Sequence, residues 1–542
     1  MAEREVIEMR NFPDELLLRL LSSLDPLERL KCSLVCRRWL QLLPAFSWLE
    51  DVQVVIRGAD LNQAVGVLRR TQRQYKHLSI IEANLDRIDP EFWANIGRYL
   101  RDLELIRCTW TPMAFYTIIL QCPKLEFLMF SNPDSSDAKT IGNASLFELP
   151  DTVSLEALRV AFSGIKHVSP KAKMSTRTLE RLLDAMPNLE SISAGCYDGK
   201  PRRNPPFLLE QEWNSDMSFL DLLSDDHVTS IADKAPERLR DLRLGWGGRL
   251  TRKAFEALST MSNLRLLDIF RPRNLNNDYF AQILLNCTKL EHLSLRSAGL
   301  YSGPSFKHLP KLKELRRLSL FCFKMGEEHL PHLANLPTLQ HLQLNSCDFG
   351  NDFDTFLGIS RLPKLRSFEL TMSLINPDWF VTVADEFRTL VELCIKDVDV
   401  FTNVTVSKII SLECLRSLIL WGPAEDMDSS QESGSPDRET VKLSLSPEVE
   451  LNEPHVQEGQ LSFLDLNRCR KIRNSGLVEL LRGEPQLQII RILNCSLITN
   501  HCLEELKTLC PLLERLTVEP FADEKIEEFA QLRPLVEVRG SS

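Results

Sequence analysis

Residues 461–480 read LSFLDLNRCRKIRNSGLVEL, and residues 487–506 read LQIIRILNCSLITNHCLEEL. Leu461, Leu464, Leu466, Cys469, Ile472, Asn474, Leu477 and Leu480 return one unit later as Leu487, Ile490, Ile492, Cys495, Ile498, Asn500, Leu503 and Leu506. Each unit opens with apolar residues at every second position, the pattern of a half-buried strand. It then shifts to three- and four-residue spacing, the pattern of an amphipathic helix. Proline stands just before many of the following units, at Pro123, Pro187, Pro337, Pro363, Pro485 and Pro511. There it ends a helix without removing a ladder hydrogen bond from the next strand.

Worked outward, the opening L-x-x-L-x-L pattern recurs along nearly the whole chain. Its first positions are Leu49, Tyr75, Leu100, Leu125, Leu155, Leu189, Leu239, Leu264, Leu290, Leu315, Leu339, Leu365, Leu390, Leu415, Leu461, Leu487 and Leu513. Twelve of the sixteen intervals are 24 to 26 residues, a regularity that chance does not produce. This pattern resembles the leucine-rich repeat in its cysteine-containing subtype. Leu100/Leu103/Leu105/Cys108 and Leu339/Leu342/Leu344/Cys347 carry the resemblance along with the two units quoted above. It implies an α/β solenoid of about 17–18 units over residues 49–540, a horseshoe of parallel strands with helices outside. One unit cannot bury its apolar face alone, so stacking is obligatory.

The longer intervals hold insertions. Residues 131–143 form a polar loop. Between Leu189 and Leu239 lie a Pro/Arg-rich stretch, Pro201–Pro206, and a degenerate unit around Met217, Leu220 and Leu222. Residues 424–459 are rich in Ser, Glu, Asp and Pro and are expected to be disordered. From Ala424 to Glu458 ten acids face Arg438 and Lys442, a net −8, against −10 for all 542 residues. The repeat body is therefore close to neutral. Ser435-Pro436 and Ser446-Pro447 in this insert are possible proline-directed phosphorylation sites.

Residues 1–48 are a different object. NFPDELLLRLLSSLDPLERLKCSLVCRRWLQLL, residues 11–43, has leucines at helical spacing from Pro13. A second helix starts where Asp25 can cap, Pro26 suits the first turn and Glu28 supplies the capping-box acid. A third should carry Cys36 and Trp39. The segment is too small for a core of its own and holds more leucine than it can bury. Phe12-Pro13, Leu16-Leu17-x-x-Leu20-Leu21-x-x-Leu24 and Leu34-Val35-Cys36-x-x-Trp39 resemble the F-box, a three-helix module. That resemblance implies docking on a Skp-type adaptor of a cullin–RING ubiquitin ligase. Its contact residues would be Pro13, Leu16, Leu20, Leu24, Leu30, Val35 and Trp39. Val35 and Cys36 are the positions most expected to pack among the helices instead.

Composition narrows the remaining classes. Hydrophobic content of 43% and charged content of 26% are ordinary for a globular chain. No apolar run is long enough to span a membrane, and the first eleven residues, with Glu3, Glu5 and Glu8, do not read as a secretory signal. Fourteen cysteines without a C-x-x-C pair are expected to be free thiols in the cytosol or nucleus. The acidic balance argues against general nucleic-acid binding. His329-x-x-His332 and His501-Cys502 lack further ligands at metal spacing. Two glycosylation sequons, at Asn286 and Asn494, fall inside repeats, and no catalytic or phosphate-loop motif is present, so neither a cofactor nor a metal is expected.

Binding is expected on the concave strand face, at positions two, four, six and seven after each first position. Arg243, Trp246, Phe270, Arg271, Arg296, Arg317 and Phe321 gather there, followed by His341, Gln343, Asn345, Trp421, Phe463 and Arg491. Arginines and aromatics are the residue types enriched at binding hot spots. The expected role is the substrate-recognition subunit of an SCF-type ubiquitin ligase, non-catalytic, holding a protein client that is acidic or phosphorylated. A ligase-independent repeat scaffold is the competing reading.

Overall fold

A computed structural model describes residues 13–22, 31–32, 35–36, 38–39, 52–71, 73–132, 146–194, 223–245, 247–296, 304–321, 330–346, 349, 353–373, 375–376, 378–397, 401–423, 461–519, 521, 523–534 and 536–539. The acidic insert, the degenerate unit at Met217, and Trp246 and Cys347 lie outside the described residues. Two units pack separately: residues 1–197 with 216–239, and residues 240–542 with 198–215.

In the first unit a helix, α1 (Asp14–Ser22), precedes six strands: β1 (Gln53–Arg57), β2 (His77–Ile81), β3 (Asp102–Ile106), β4 (Phe127–Phe130), β5 (His167–Pro170) and β6 (Ser191–Ala194). Each pairs with the next, always in parallel. The second unit repeats the plan with β7 (Asp241–Leu244), β8 (Leu266–Phe270), β9 (His292–Arg296), β10 (Arg317–Phe321), β11 (His341–Asn345), β12 (Ser367–Thr371), β13 (Glu392–Lys396), β14 (Ser417–Trp421), β15 (Phe463–Asn467), β16 (Ile489–Leu493), β17 (Arg515–Glu519) and β18 (Glu537–Arg539). These too pair in sequence order, in parallel. The architecture is the α/β solenoid implied by the repeat.

Helices start where the sequence offers caps. Thr111 Oγ1 accepts from the Ala114 N–H, with Pro112 in the first turn. Ser175 Oγ accepts from the Thr178 N–H, and Asn276 Oδ1 from the Tyr279 N–H. Each supplies a partner to a donor that a helix end leaves orphaned. Between helices and strands sit the anchors: Leu100, Leu189, Leu239, Leu264, Leu290, Leu315, Leu339, Leu390 and Leu487 are fully shielded from solvent. Stacking of identical positions also makes a staircase. The carbonyl one residue after the anchor accepts two N–H groups from the next unit, as Arg265 does from Glu291 and His292, and Arg316 from Gln340 and His341.

Two anchors are displaced. Leu155 opens a helix, Leu155–Phe162, and no strand. Leu158 is buried while Val160 is 72% exposed, so the apparent L-x-x-L-x-V pattern is one turn of an amphipathic helix read at the wrong period. The anchor of that unit is Ile165, buried, with Val168 and Pro170 in β5; the next carbonyl, of Lys166, accepts from Glu190 and Ser191. At the N-terminal end, Val54 pairs with Leu78 and Ile56 with Ile80. The anchor slot aligned with Tyr75 therefore falls at position 51, not at Leu49.

Eight of the described units leave their strands by the same device. Glu82, Arg107, Arg271, Ser346, Met372, Asp397, Arg468 and Asn494 have positive φ, between 48° and 57°, and each stands seven residues after its anchor. The strand alternation stops there, so this position does not continue the row of outward side chains expected from sequence. The following residue turns inward: Cys108 Sγ donates to the Ile80 carbonyl at 3.3 Å, and Cys469 Sγ to that of Leu420 at 3.1 Å. Cysteine recurs at this place because it is small, apolar and still able to donate to the carbonyl of the preceding unit. Burial pushes the Cys108 thiol up to about 11.

The insert at 424–459 does not interrupt the second unit. β14 and β15 remain in register, Leu420 opposite Leu466, and the Gly422 N–H donates to the Asn467 carbonyl at 2.7 Å. The helix Asn403–Ile410 meets the helix Asn474–Gly483 directly: Asn403 Oδ1 accepts from the Arg473 N–H at 3.1 Å. A Cβ on Gly476 would lie 2.2 Å from Asn403 Oδ1, so the absence of a side chain there allows the two helices to close. Both the strand row and the helix row thus pass over the insertion point.

Candidate functional site

Two surfaces carry the expected function, each built within one unit. On the first, α1 divides its leucines by helical spacing. Leu17 and Leu21 are buried, and Leu16 is 47% exposed beside exposed Pro13. Val35 is 64% exposed and Cys36 is exposed as well, so neither packs among the helices as expected. Trp39 is half-buried. Arg38 Nε donates to Asp14 Oδ1 at 3.0 Å, tying the start of α1 to the stretch that bears Trp39. Leu20 falls on α1, and Leu24 and Leu30 lie outside the described residues. Pro13, Leu16 and Val35 thus remain exposed apolar side chains.

The second surface is the open face of the sheet in the second unit, turned away from the helices. Register aligns its side chains into columns. The first runs Asp241, Leu266, His292, Arg317, His341, Ser367, Glu392; the second Arg243, Asp268, Ser294, Ser319, Gln343, Glu369; the third begins Phe270, Arg296. Parallel strands stand about 4.8 Å apart, so neighbours in a column shield each other.

That crowding sorts the residues expected here. Arg296 is buried, and its Nη2 donates to Asp268 Oδ2 at 2.9 Å, with both side chains under 10% exposed. It is an internal ion pair. Burial pushes the Asp268 carboxyl up to about 7, with Arg243 pulling the other way, and pushes Arg296 down to about 10. Arg243 and Phe270 are also buried, and the Arg271 guanidinium lies 5.4 Å from the Phe270 ring centre. Arg317 is half-buried at the centre of its column, and Phe321 is the last residue of β10. Further along, Asp465 is buried against Arg491 Nη1 at 3.1 Å, and the Lys396 ammonium sits 4.9 Å over the Trp421 ring while pairing with Glu369. Gln343 is buried and Oε1 has no hydrogen-bond partner among the described residues.

Sequence reading missed the residues beside this floor. Arg240, Arg265, Arg316 and Arg366 are exposed, each one residue after its anchor, at the rim where the strands begin. Their signal was present: a basic residue recurring directly behind the anchor leucine. His292 was missed as well.

The histidines register the field. Burial, with Arg317, Arg243 and Arg316 nearby, holds His292 down to about 4; burial, with Arg317, His292 and Arg366, holds His341 down to about 3. Asp268 and Glu369 are the acids on the adjoining strands, Asp241 and Glu392 stand further along the same column as the histidines, and Glu291 stands at the rim. Both histidines are therefore neutral in the folded protein at neutral pH. A depressed histidine contributes stability that is present above its ordinary value near 6.5 and is lost as pH falls through the folded value. Acidification from pH 6.5 to 4 should cost the wild type on the order of 3 kcal/mol through His292 alone. A His292→Gln/His341→Gln variant should show a shallower decline over the same window by denaturant titration. Parallel declines would contradict the assignment.

Comparison with known proteins follows the same division. A family model described as the F-box domain matches residues 9–45. F-box/LRR-repeat protein 4 of Bos taurus is 31% identical over 112 residues, which are 20% of this chain and 18% of that relative's length. A chain of the yeast Rad7 and Elc1 complex superposes with a TM-score of 0.43 at 13% identity, covering 99% of this chain and 98% of that one. A leucine-rich-repeat protein of Leptospira interrogans gives 0.32 at 12% identity, covering 90% and 100%. With an F-box at its N-terminal end and strand–helix units of leucine-rich-repeat pattern through its described length, the chain is an F-box/leucine-rich-repeat protein.

Proposed function

We propose that this chain is the substrate-recognition subunit of an SCF-type ubiquitin ligase. An F-box joined to leucine-rich repeats is the general plan of such receptors, and an F-box implies a Skp-type adaptor. The supporting observation is the division of α1: Leu17 and Leu21 are satisfied inside, while Leu16, with Pro13 and Val35, stays exposed. Exposed apolar side chains on so small a module mark a partner surface. The open strand face of the second unit would hold the client. The chain would contribute proximity alone, fixing the client near the transfer machinery, and would do no chemistry itself. Its eleven described cysteines are free thiols, which suits work in the reducing cytosol or nucleus.

Co-purification of the tagged full chain with the Skp-type adaptor tests this. Wild type should recover the adaptor, and a Leu16→Asp/Val35→Asp variant should lose it, since both side chains are exposed and their change leaves the buried leucines alone. Loss of recovery with an unchanged circular dichroism spectrum supports the receptor reading. No recovery by folded wild type would overturn it in favour of a ligase-independent scaffold.

A further inference from the structure

Where helices end and strands begin in the first unit, three short segments hold seven basic residues and no acid. They are residues 66–76 before β2, 97–101 before β3 and 119–125 before β4. Arg69 is spent internally, 3.0 Å from Asp89 and paired with Glu91 as well. Arg70, Arg98, Arg101 and Lys124 are exposed, and none of them pairs with an acid among the described residues. Glu126, next along the row, lies 3.7 Å from Lys166.

Stacking of the units brings the three segments together. Asn95 Nδ2 donates to the Arg69 carbonyl at 3.1 Å and to that of Thr71 at 3.3 Å. The Arg101 N–H donates to the Lys76 carbonyl, and the Glu126 N–H to that of Arg101, both at 2.8 Å. Arg98 and Lys124 lie against one ring, 5.0 and 6.0 Å from the centre of Tyr99. Burial, with Arg101 and Lys124 nearby, holds the Lys76 ammonium below its usual value.

Each helix end adds an apolar body to this charge. Val67, three residues before Arg70 on the helix Leu61–Leu68, is 66% exposed. Leu120 closes the helix Pro112–Leu120, four residues before Lys124, and is 46% exposed. Half-buried Tyr99 stands between them, beside Arg98. Packed helices lie about 8–10 Å apart, so two spacings separate Val67 from Leu120 by about 20 Å.

Three anionic partners could meet such an edge, and the side chains separate them. Single-stranded nucleic acid gains most by stacking bases on open aromatic rings. Here Tyr75 is buried, and Tyr99 already has two cations against its ring. An acidic polypeptide would engage the cations and leave Val67 and Leu120 without a use. An anionic bilayer engages both kinds of residue. Its headgroups attract Lys and Arg, exposed aliphatic tips enter the acyl boundary, and tyrosine suits the interface between them.

We propose that this edge of the first unit docks on an anionic membrane surface, with Arg70, Arg98, Arg101 and Lys124 among the headgroups and Val67 and Leu120 at the acyl boundary. Docking of this kind lies on the bilayer and needs no spanning helix. It stands apart from the receptor reading. Joined to it, membrane docking would direct the ligase to clients held at that surface.

Co-sedimentation of the full chain tests this with vesicles of phosphatidylcholine alone and of phosphatidylcholine mixed with phosphatidylserine. Partition onto the mixed vesicles should be at least about tenfold stronger and should fall as salt rises. Arg101→Glu/Lys124→Glu should remove the difference between the two vesicles. Val67→Ser/Leu120→Ser, which leaves the charge unchanged, should weaken binding to the mixed vesicles by about threefold or more. Arg316→Glu/Arg366→Glu, in the second unit, should leave it unchanged. All these positions but Lys76 and Tyr99, which are not altered, are exposed, so circular dichroism spectra should match the wild type. Equal binding to both vesicles, indifference to the Arg101 and Lys124 reversals, or a serine variant that binds like wild type would each overturn the proposal. So would displacement from the vesicles by single-stranded RNA or poly-glutamate at equal charge, which would make the partner a soluble polyanion. Adaptor recovery depends on Leu16 and Val35, so either reading can fail without the other.

Discussion

Gly422→Val should open the seam between β14 and β15, where the chain resumes after its acidic insert. A Cβ at Gly422 would lie 2.1 Å from the Arg468 carbonyl oxygen and 2.9 Å from its carbon. Both belong to backbone and cannot swing aside, and the Gly422 N–H is itself committed to the Asn467 carbonyl at 2.7 Å. Gly58, at the same place in its unit, has the same relation to the Glu82 carbonyl, at 2.0 Å, and neither glycine has the left-handed backbone with which Glu82 and its equivalents carry a Cβ there. Repeat arrays lose stability locally, unit by unit. The expected result is therefore a loss of hydrogen-exchange protection across β14 and β15, equivalent to more than about 3 kcal/mol at that seam. Units around β8–β10 should keep theirs. Gly483→Ala serves as the control, since nothing lies within 4 Å of its added Cβ. Gly476→Ala should weaken the helix contact beside the seam, and Asn403→Ala should relieve part of that, because the clash is with the Asn403 side chain. Unchanged protection in Gly422→Val would mean that β14 and β15 are not joined in this register.

Such a seam shows what a sequence can and cannot express. Most anchors were legible because a buried leucine at a fixed interval is a one-dimensional signal that survives any reading frame. Leu155 was misread because three residues of a helix can imitate the start of a strand; only the burial of Leu158 against the exposure of Val160 separates them. The left-handed exit residue was invisible because no residue type marks it. Glu, Arg, Ser, Met, Asp and Asn all occupy it, and the N–H groups of Glu82, Arg271, Ser346, Met372, Arg468 and Asn494 donate to carbonyls of the next strand. On the F-box, Leu16 was legible as outward from helical spacing, whereas the exposure of Val35 was not, since it lies between helices where periodicity says nothing. On the open face the residue types were read correctly and their states were not. Column neighbours decide which arginine is spent internally and which remains at the rim, and register is a three-dimensional fact.

Arg296→Met should separate those two roles more sharply than any other change on the face. The guanidinium is paired with Asp268 at 2.9 Å, and both side chains are nearly sealed from water. Removing it leaves a carboxylate buried without its nearest counter-charge, a loss of about 3 to 5 kcal/mol by analogy with other broken buried pairs. The loss should depend on pH with a definite sign. Asp268 already sits at about 7, raised by burial. A carboxyl raised in the folded state contributes stability that is fully present below its ordinary value near 4 and is lost as pH rises through the folded value. In Arg296→Met that folded value rises further, so the deficit relative to wild type should be small near pH 5 and should widen above pH 7. Asp268→Leu/Arg296→Met, which removes both charges together, should recover most of the stability, because the desolvation cost disappears with the attraction. Denaturant titration of the three proteins across this pH range decides the matter. If Arg296 were instead held for a client, its replacement would leave stability and its pH dependence unchanged. The buried pair predicts the opposite: a large fall in stability that depends on pH.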